Sequence, residues 1–456
     1  MTNRVATASR LGAQERRALF SGTLGNAIEY YEFSIYGLTA AVVFNKLFFP
    51  NAGGLTGTVL SLGTFLIAFI ARPVGGIVFG HFGDRLGRKG TLIVSLVMMG
   101  GATTAIGLLP TYGQIGMWAP ILLVVMRLIQ GVSMGGEYSG SLLMVLEHAR
   151  VNRRTLIGAV VSSGLAWGTL AGNGFFLLVS QLPEDAFVSW GWRIPFLSSG
   201  VLVTVCLYIR MRIDETPEFA AAVEQAEASD EKIRTPLVEV LRKHKMSTLL
   251  VILILPGMGL TYYLATVFSL VYANQVGLDR SHVITGIIVA QVILGVGMPL
   301  FGWLADATGR RRLILISGFI GIAVAGWIWL ALLSTNNPIW ITVGFAILFI
   351  PYSAAYATFP ATAAHAFPAI ARFTGLALAY NVGSLALSAT SPLIALALFE
   401  NYGTWASTAV YLSGGALVSM LAAVAIKERY IANETDVEQT LARAANSEVP
   451  VGSEFR

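Results

Sequence analysis

Two carboxylates interrupt an apolar stretch near the start of the chain: "GNAIEYYEF", residues 25–33, places Glu29 and Glu32 where a lipid-facing helix carries none. If a helix enters the membrane near residue 20, a rise of about 1.5 Å per residue sets both about 13 to 18 Å deep, close to mid-membrane. At about 100° per residue, Asn26, Glu29, Glu32 and Tyr36 fall within an arc of about 120° and share one face. A charge at that depth costs about 2.5–3.5 kcal/mol or more on insertion, so such residues face a cavity and either pair or work. The work open to a buried carboxylate is to take up a proton on one side and release it on the other. The alternative is a static hydrogen-bonded network with Arg72 or Arg127.

Arg127 opens "RLIQG", residues 127–131, about nine residues into a helix entering from the opposite face, with Gln130 one turn later. A cation that moves relative to Glu29 or Glu32 would couple protonation to conformation; otherwise it only braces its helix. Glu137, in "GGEYSG", lies further along the same helix, where Gly135 and Gly136 permit close packing. It is a second coupling candidate or one half of a gate-locking pair with Arg72 or Arg88. Glu147 and His148 read as solvated groups near the surface. Arg72, deep in the second span, or Arg127 also suits a substrate carboxylate, because a guanidinium matches it bidentately.

The elements that must position these groups follow from composition. With 55% hydrophobic residues, 12% charged residues, 48 glycines and a mean hydropathy of +0.69 over 456 residues, the chain has too little polar surface for a water-soluble globule. Apolar runs at 20–45, 56–80, 90–110, 118–143, 156–180, 193–211, 247–273, 282–304, 312–333, 338–361, 373–398 and 404–426 each approach or exceed the ~20 residues that cross hydrocarbon. Most Lys and Arg fall on one side of these spans, which the positive-inside rule makes cytoplasmic, together with both termini. The net charge of +5 is therefore topological and no sign of nucleic-acid binding. The expected order is an N-terminal arm (1–19), a six-helix bundle (20–211), a cytoplasmic linker with short amphipathic helices (212–246), a second six-helix bundle (247–426) and a tail (427–456). The single cysteine, Cys206, leaves no intramolecular disulfide and no cysteine-based metal site.

The halves echo each other. "GHFGDRLGRKG" (80–90) follows the second span and "GWLADATGRRR" (302–312) the eighth, so that Gly80, Asp84, Gly87 and Arg88 align with Gly302, Asp306, Gly309 and Arg310. Each copy reads as a helix ending at its aspartate, a tight glycine turn, and basic residues that pair with the aspartate or with carbonyls of a neighbouring helix. With Arg85 and Arg372 these residues form a candidate gate at the cytoplasmic side. The mid-membrane charged residues are not duplicated: Val251, Phe349 and Phe359 stand where the second copy would repeat Glu29, Arg127 and Glu137. The C-terminal half instead offers neutral polar groups, with Tyr262 and Tyr263 after a kink at Pro256-Gly257, then Gln291, Tyr352, Tyr356, Tyr380 and Asn381. Such groups suit orienting a solute by hydrogen bonds at the repeat interface. The substrate-contact candidates are Asn26, Tyr36, Arg72, Arg127, Gln130, Tyr262, Tyr263, Gln291, Tyr356 and Asn381.

The duplicated "GHFGDRLGRKG" motif and "RLIQG" resemble signature motifs of the major facilitator superfamily. Together with "GNAIEYYEF", "ARPVGGIVFGHFGDRLGRKG", "RLIQGVSMGGEYSG" and "WGWRIPF" they are similar to its metabolite:proton symporter branch, whose members import 2-oxoglutarate, citrate, shikimate, or proline and betaine. The resemblance runs from about 20 to 426 and implies an all-α fold of twelve transmembrane helices in two bundles, with Arg127 serving proton coupling. Where related symporters carry a glutamate before Phe-Pro, this chain has His365, and where they commonly have aspartate it has Glu32. The fifth span, with "GLAWGTLAGNG", lacks the proline of drug–proton antiporters, which favours symport.

Other classes lack their residues. There is no HExxH, no GxxxxGK[ST] and no cysteine cluster, and the five histidines are scattered. The expectation is a non-enzymatic secondary transporter in the cell's cytoplasmic (inner) membrane, without cofactor, working as a monomer and driven by a proton gradient. Its solute would be a small organic acid. A zwitterion such as proline or betaine is the alternative, with Tyr262, Tyr263 or Trp167 as its cation site.

Overall fold

In hydrocarbon every backbone N–H and C=O must be satisfied within the chain, so long apolar runs fold as helices. The computed structural model describes residues 13–52, 54–215, 236–368, 371–388 and 390–426. The first part of the expected arm, most of the linker and the tail lie outside these residues. No strand occurs among the described residues.

Twelve long helices carry the architecture: α1 (Ala13–Thr39), α2 (Gly54–Leu86), α3 (Arg88–Leu108), α4 (Trp118–His148), α5 (Arg154–Val179), α6 (Ile194–Arg210), α7 (Lys245–Tyr263), α8 (Arg280–Thr308), α9 (Arg311–Leu333), α10 (Pro338–Ala364), α11 (Arg372–Gly383) and α12 (Trp405–Ala425). Among the described residues eleven helical spans are long and apolar enough to cross a membrane; α1, which carries Glu15, Glu29 and Glu32, is not among them and completes the twelve by packing into the bundle. α7 continues through a π-helical turn at Leu264–Phe268 into Ser269–Val276. Two further π turns occur among the described residues, Ala40–Phe44 after α1 and Ser384–Ser388 after α11, and Ser391–Tyr402 extends the latter span. Such turns place extra backbone at functional positions.

The surface is inverted relative to a soluble protein. Val74, Ile70, Val324 and Leu421 are more than half exposed, whereas Arg88, Arg210 and Glu137 are fully buried. Where Pro256 cannot donate and disturbs its neighbour's bond, the Gly257 N–H donates to Ser419 Oγ on α12 at 2.7 Å, so the expected interruption of α7 is satisfied from another helix. Across α5, Gly164, Gly168 and Gly172 lie against the backbone of α1, which sets the depth and rotation of the Glu29 helix. Of the linker, the helix Pro236–Lys243 is described, and it packs against α2 and α11 with Val240 fully buried. Outside the spans, Asp279 caps α8 by accepting from Ser281 N–H at 2.8 Å, and that hydrogen bonding holds its carboxyl below the usual value.

Candidate functional site

The two halves meet along α2 against α11 and α5 against α8, and both seams close at the end that carries the basic loops. The helices do not stop at their aspartates. α2 runs on to Leu86 and α8 to Thr308, and the glycine after each makes the turn: Gly87 has φ 104° and Gly309 φ 65°, a region costly for other residues. Asp84 and Asp306 therefore sit in the last helical turn, and each caps a helix of the opposite half. Asp84 accepts from Thr374 N–H and Thr374 Oγ1, both at 2.8 Å, and from Phe373 N–H at 3.3 Å, at the start of α11. Asp306 accepts from Leu156 N–H at 2.7 Å and Thr155 N–H at 3.3 Å, at the start of α5. A carboxylate at a helix N-terminus meets unpaired N–H groups and the positive end of the helix dipole. The approach requires glycine one turn earlier: a Cβ on Gly80 would lie 2.8 Å from Thr374 Cα, and one on Gly302 2.9 Å from Leu156 Cα.

The aspartates of both copies take backbone N–H groups of the facing half, and the expected pairing of a basic residue with carbonyls at a neighbouring helix end is seen at Arg312, which donates Nε to Ala423 O at 3.2 Å and Nη2 to Val424 O at the end of α12. Arg85 and Arg310 are exposed, Arg85 lying 3.4 Å from His81. Arg88 is buried and joined to Glu147, which also accepts from Arg372 Nη1 at 3.2 Å. Glu147 is thus no solvated surface group. It is 5% exposed and ties Arg88 of one half to Arg372 of the other. It is the penultimate residue of α4, so its sequence position carried no sign of these partners.

Deeper in, two of the three acids meet an arginine directly. Glu29 Oε1 accepts from Arg72 Nη2 at 2.5 Å, while Glu29 Oε2 and Arg72 Nε find no partner among the described residues. Glu137 binds neither Arg72 nor Arg88. Its partner is Arg210, at the end of α6, through contacts of 2.8 and 3.1 Å, with Ser95 Oγ donating at 2.8 Å. Arg210 was absent from the expected site, since an arginine at a span's end reads as topogenic. Glu32 is held by Ser199 Oγ and by Thr103 Oγ1, the latter at 2.5 Å. Gln130 Nε2 donates to Thr103 at 2.5 Å and Arg127 Nη1 donates to Gln130 Oε1 at 2.8 Å, so Arg127 reaches Glu32 through two neutral side chains. The Arg127 guanidinium lies 3.6 Å over the Tyr36 ring.

A narrow cavity of about 40 Å³ lies between the halves, walled by Tyr30, Arg72 and Leu165 from one and by Leu255, Met258, Gly259, Tyr262, Tyr263, Tyr352, Tyr356, Tyr380, Ser384 and Ser388 from the other. Arg72 is the one charged side chain on this lining. Of the expected substrate contacts, Arg72, Tyr262, Tyr263 and Tyr356 line it. Gln291 stands behind Tyr262, donating to its hydroxyl at 3.4 Å. The others lie off this lining. Asn26 donates to Val161 O at 2.8 Å, Asn381 to Gly135 O across the halves at 2.7 Å, and Tyr36 meets Thr64 at 2.5 Å beside Arg127 and Gln130. Trp167 lies 43% exposed on the α5–α8 seam against Gly295, away from the lining. Tyr30 and Tyr380, 3.5 Å apart, and the serines of the π turn complete the wall. Tyr30 follows Glu29 directly and lay one residue from the expected face. No group of acidic, histidine or cysteine side chains suited to a metal ion occurs among the described residues.

Comparison with known proteins places this architecture. Residues 23–391 match the sequence profile of the Major Facilitator Superfamily. The chain is 39% identical over 415 residues to the inner membrane metabolite transport protein YhjE of Escherichia coli K12, covering 89% of this chain and 92% of that protein. It is 38% identical to the shikimate transporter of the same strain (91% and 95% covered) and 32% identical to its proline/betaine transporter (91% and 83%). Among solved structures, the proton:xylose symporter XylE bound to 6-bromo-6-deoxy-D-glucose superposes with a TM-score of 0.73 at 17% identity, covering 92% of this chain and 97% of that one. The twelve-helix, two-half chain is a multi-pass membrane transporter that belongs to the Major Facilitator Superfamily.

Proposed function

We propose that the protein imports a small organic acid together with protons by alternating access of the central cavity. The observation that carries this reading is the placement of Arg72, a buried guanidinium on an otherwise neutral, tyrosine-rich wall between the two halves, held by Glu29. A guanidinium offers a carboxylate two parallel N–H donors, and the surrounding hydroxyls offer partners to a polar body. Glu29, Glu32 and Glu137 are the proton-handling candidates, each coupled to its own arginine. Asp84, Asp306 and the Glu147 triad close the basic end, which the positive-inside rule assigns to the cytoplasm together with both termini. Relatives named as metabolite and shikimate transporters support an acid; the proline/betaine relative keeps the zwitterion as the second reading, for which the tyrosine rings are the cation site. One chain encloses the cavity, so the working unit is the monomer, in the cytoplasmic membrane, with the proton gradient as its drive.

The test is uptake into proteoliposomes under an imposed inward proton gradient, with labelled shikimate, benzoate, 2-oxoglutarate, citrate, proline and betaine. Accumulation of an acid above its external concentration, abolished by a protonophore, is expected. Accumulation of betaine or proline alone would transfer the assignment to the zwitterion, and equilibration without accumulation would remove the coupling.

A further inference from the structure

Besides the Arg88–Glu147 contact at the basic end, three buried acid–base couples lie deeper in the N-terminal half, and they differ in what surrounds them. Glu137 and Arg210 satisfy one another through two contacts, with Ser95, Ser21 and Leu92 O filling the remaining positions. Both oxygens of Glu32 are taken by hydroxyls, and its arginine lies behind Gln130. Of these three, only the Glu29–Arg72 couple reaches the cavity, through Arg72, and only this couple is incomplete: one carboxylate oxygen and the guanidinium Nε are unpartnered among the described residues. Phe33 and Phe69 flank the guanidinium at 5.7 and 5.2 Å and leave its polar edge to Glu29 and the cavity.

We infer that Glu29 and an incoming monocarboxylate compete for Arg72, so that the solute enters as Glu29 takes up one proton, and one proton travels with each molecule. The inference rests on the proposed symport and names its coupling group and charge class. In the empty cavity the couple is neutral. A carboxylate reaching Arg72 would leave two anions for one cation in a dry site, an arrangement that is costly until one of them is neutralised. A proton from the outer water binds Glu29, the Glu29–Arg72 hydrogen bond is released, and the solute's oxygens accept the freed N–H groups. On the inner side the solute leaves, the proton passes to inner water and the pair re-forms. Linkage makes the coupling reciprocal: substrate raises proton affinity by the factor by which protons raise substrate affinity.

The other titratable groups near Glu29 are Tyr30 on α1, Glu32 on α1, Tyr138 and Glu137 on α4, Tyr263 on α7 and Tyr380 on α11. A tyrosine hydroxyl is uncharged near neutral pH; Glu137 is matched by Arg210 directly, and Glu32 by Arg127 through Gln130 and Thr103. The local charge count is therefore set by Glu29, Arg72 and the solute. A second carboxylate would find no second guanidinium on the described lining.

The measurement is uptake of shikimate and benzoate, against 2-oxoglutarate and citrate, by wild type, Glu29→Gln, Glu29→Asp and Arg72→Gln, with internal pH followed by a trapped indicator. For wild type the expected result is accumulation of a monocarboxylate, about tenfold per pH unit at a ratio of one proton, and unchanged when the membrane potential is clamped at different values. Glu29→Gln, which copies the protonated shape, should retain exchange of internal for external solute at a rate independent of pH, yet reach a concentration ratio of about one. Glu29→Asp should restore accumulation, and Arg72→Gln should lose exchange as well. Retained exchange shows that the variant is folded, and loss of pH dependence alone is not what a structural role for Glu29 would produce. Accumulation by Glu29→Gln equal to wild type, or wild-type uptake of 2-oxoglutarate or citrate in preference to the monocarboxylates, would overturn the inference while leaving acid symport in place. Failure of every acid to accumulate in wild type would overturn both.

Discussion

Arg210 and Glu137 are each fully buried, so removing one strands the other as an unpaired charge. Arg210→Ala is expected to destabilise the protein by about 3–5 kcal/mol, read as a lowered unfolding transition in detergent, whereas Arg210→Met with Glu137→Leu should recover most of that loss. The reason lies in the asymmetry between an intact buried pair and half of one. Glu137 was legible in the sequence as a buried acid, because its apolar neighbours demand a partner. Its partner was not, because the choice among Arg72, Arg88 and Arg210 depends on how far α6 is rotated and how deep it sits. The same holds for Glu147, whose place near a span's end suggests solvent until α11 is set against it.

Helix caps act at the scale of the element. Asp84 and Asp306 each satisfy N–H groups that their target helices cannot satisfy internally. Loss of either cap, as in Asp84→Ala or Asp306→Ala, should weaken the closed arrangement by about 1–2 kcal/mol. Amide hydrogen exchange at the start of α11 or of α5 should then quicken about 5–30-fold, each variant affecting chiefly its own target helix. An unchanged exchange rate at Thr374 in Asp84→Ala would show that water replaces the cap without loss. The motif repeat, its glycine turns and its aspartates were legible in the sequence. Read locally, the motif ended each helix at the acid and sought a partner in its own turn. The cross-half cap needed the facing helix, and the offset between the two copies is what makes both seams close in the same way.

For the whole molecule, closure of the basic end rests on two caps, one ion triad and two close helix approaches. Replacing Gly80 and Gly302 by leucine forces side chains into Thr374 and Leu156, and should hold that end open. Cys206 is buried and is the chain's one cysteine, so a thiol introduced by Tyr356→Cys reports on the cavity with little background. Its reaction with a membrane-impermeant maleimide from the cytoplasmic side should rise several-fold in the doubly widened variant, while transport falls. Equal labelling with and without the wedges would show that the seams open by another route.

Composition, span length and charge asymmetry are sums over the chain, so the sequence alone determined a membrane protein of twelve helices, its duplicated motif and the placing of the mid-membrane glutamates in the first half. It also determined the cations and anions available to the site. Which acid meets which base was decided only in three dimensions, because the partners stand 43, 73 and 225 residues apart at Glu29–Arg72, Glu137–Arg210 and Glu147–Arg372. A pattern of one helix states the face on which a side chain stands; the rotation and depth of its neighbour, set here by glycine contacts between helices, decide what that face meets.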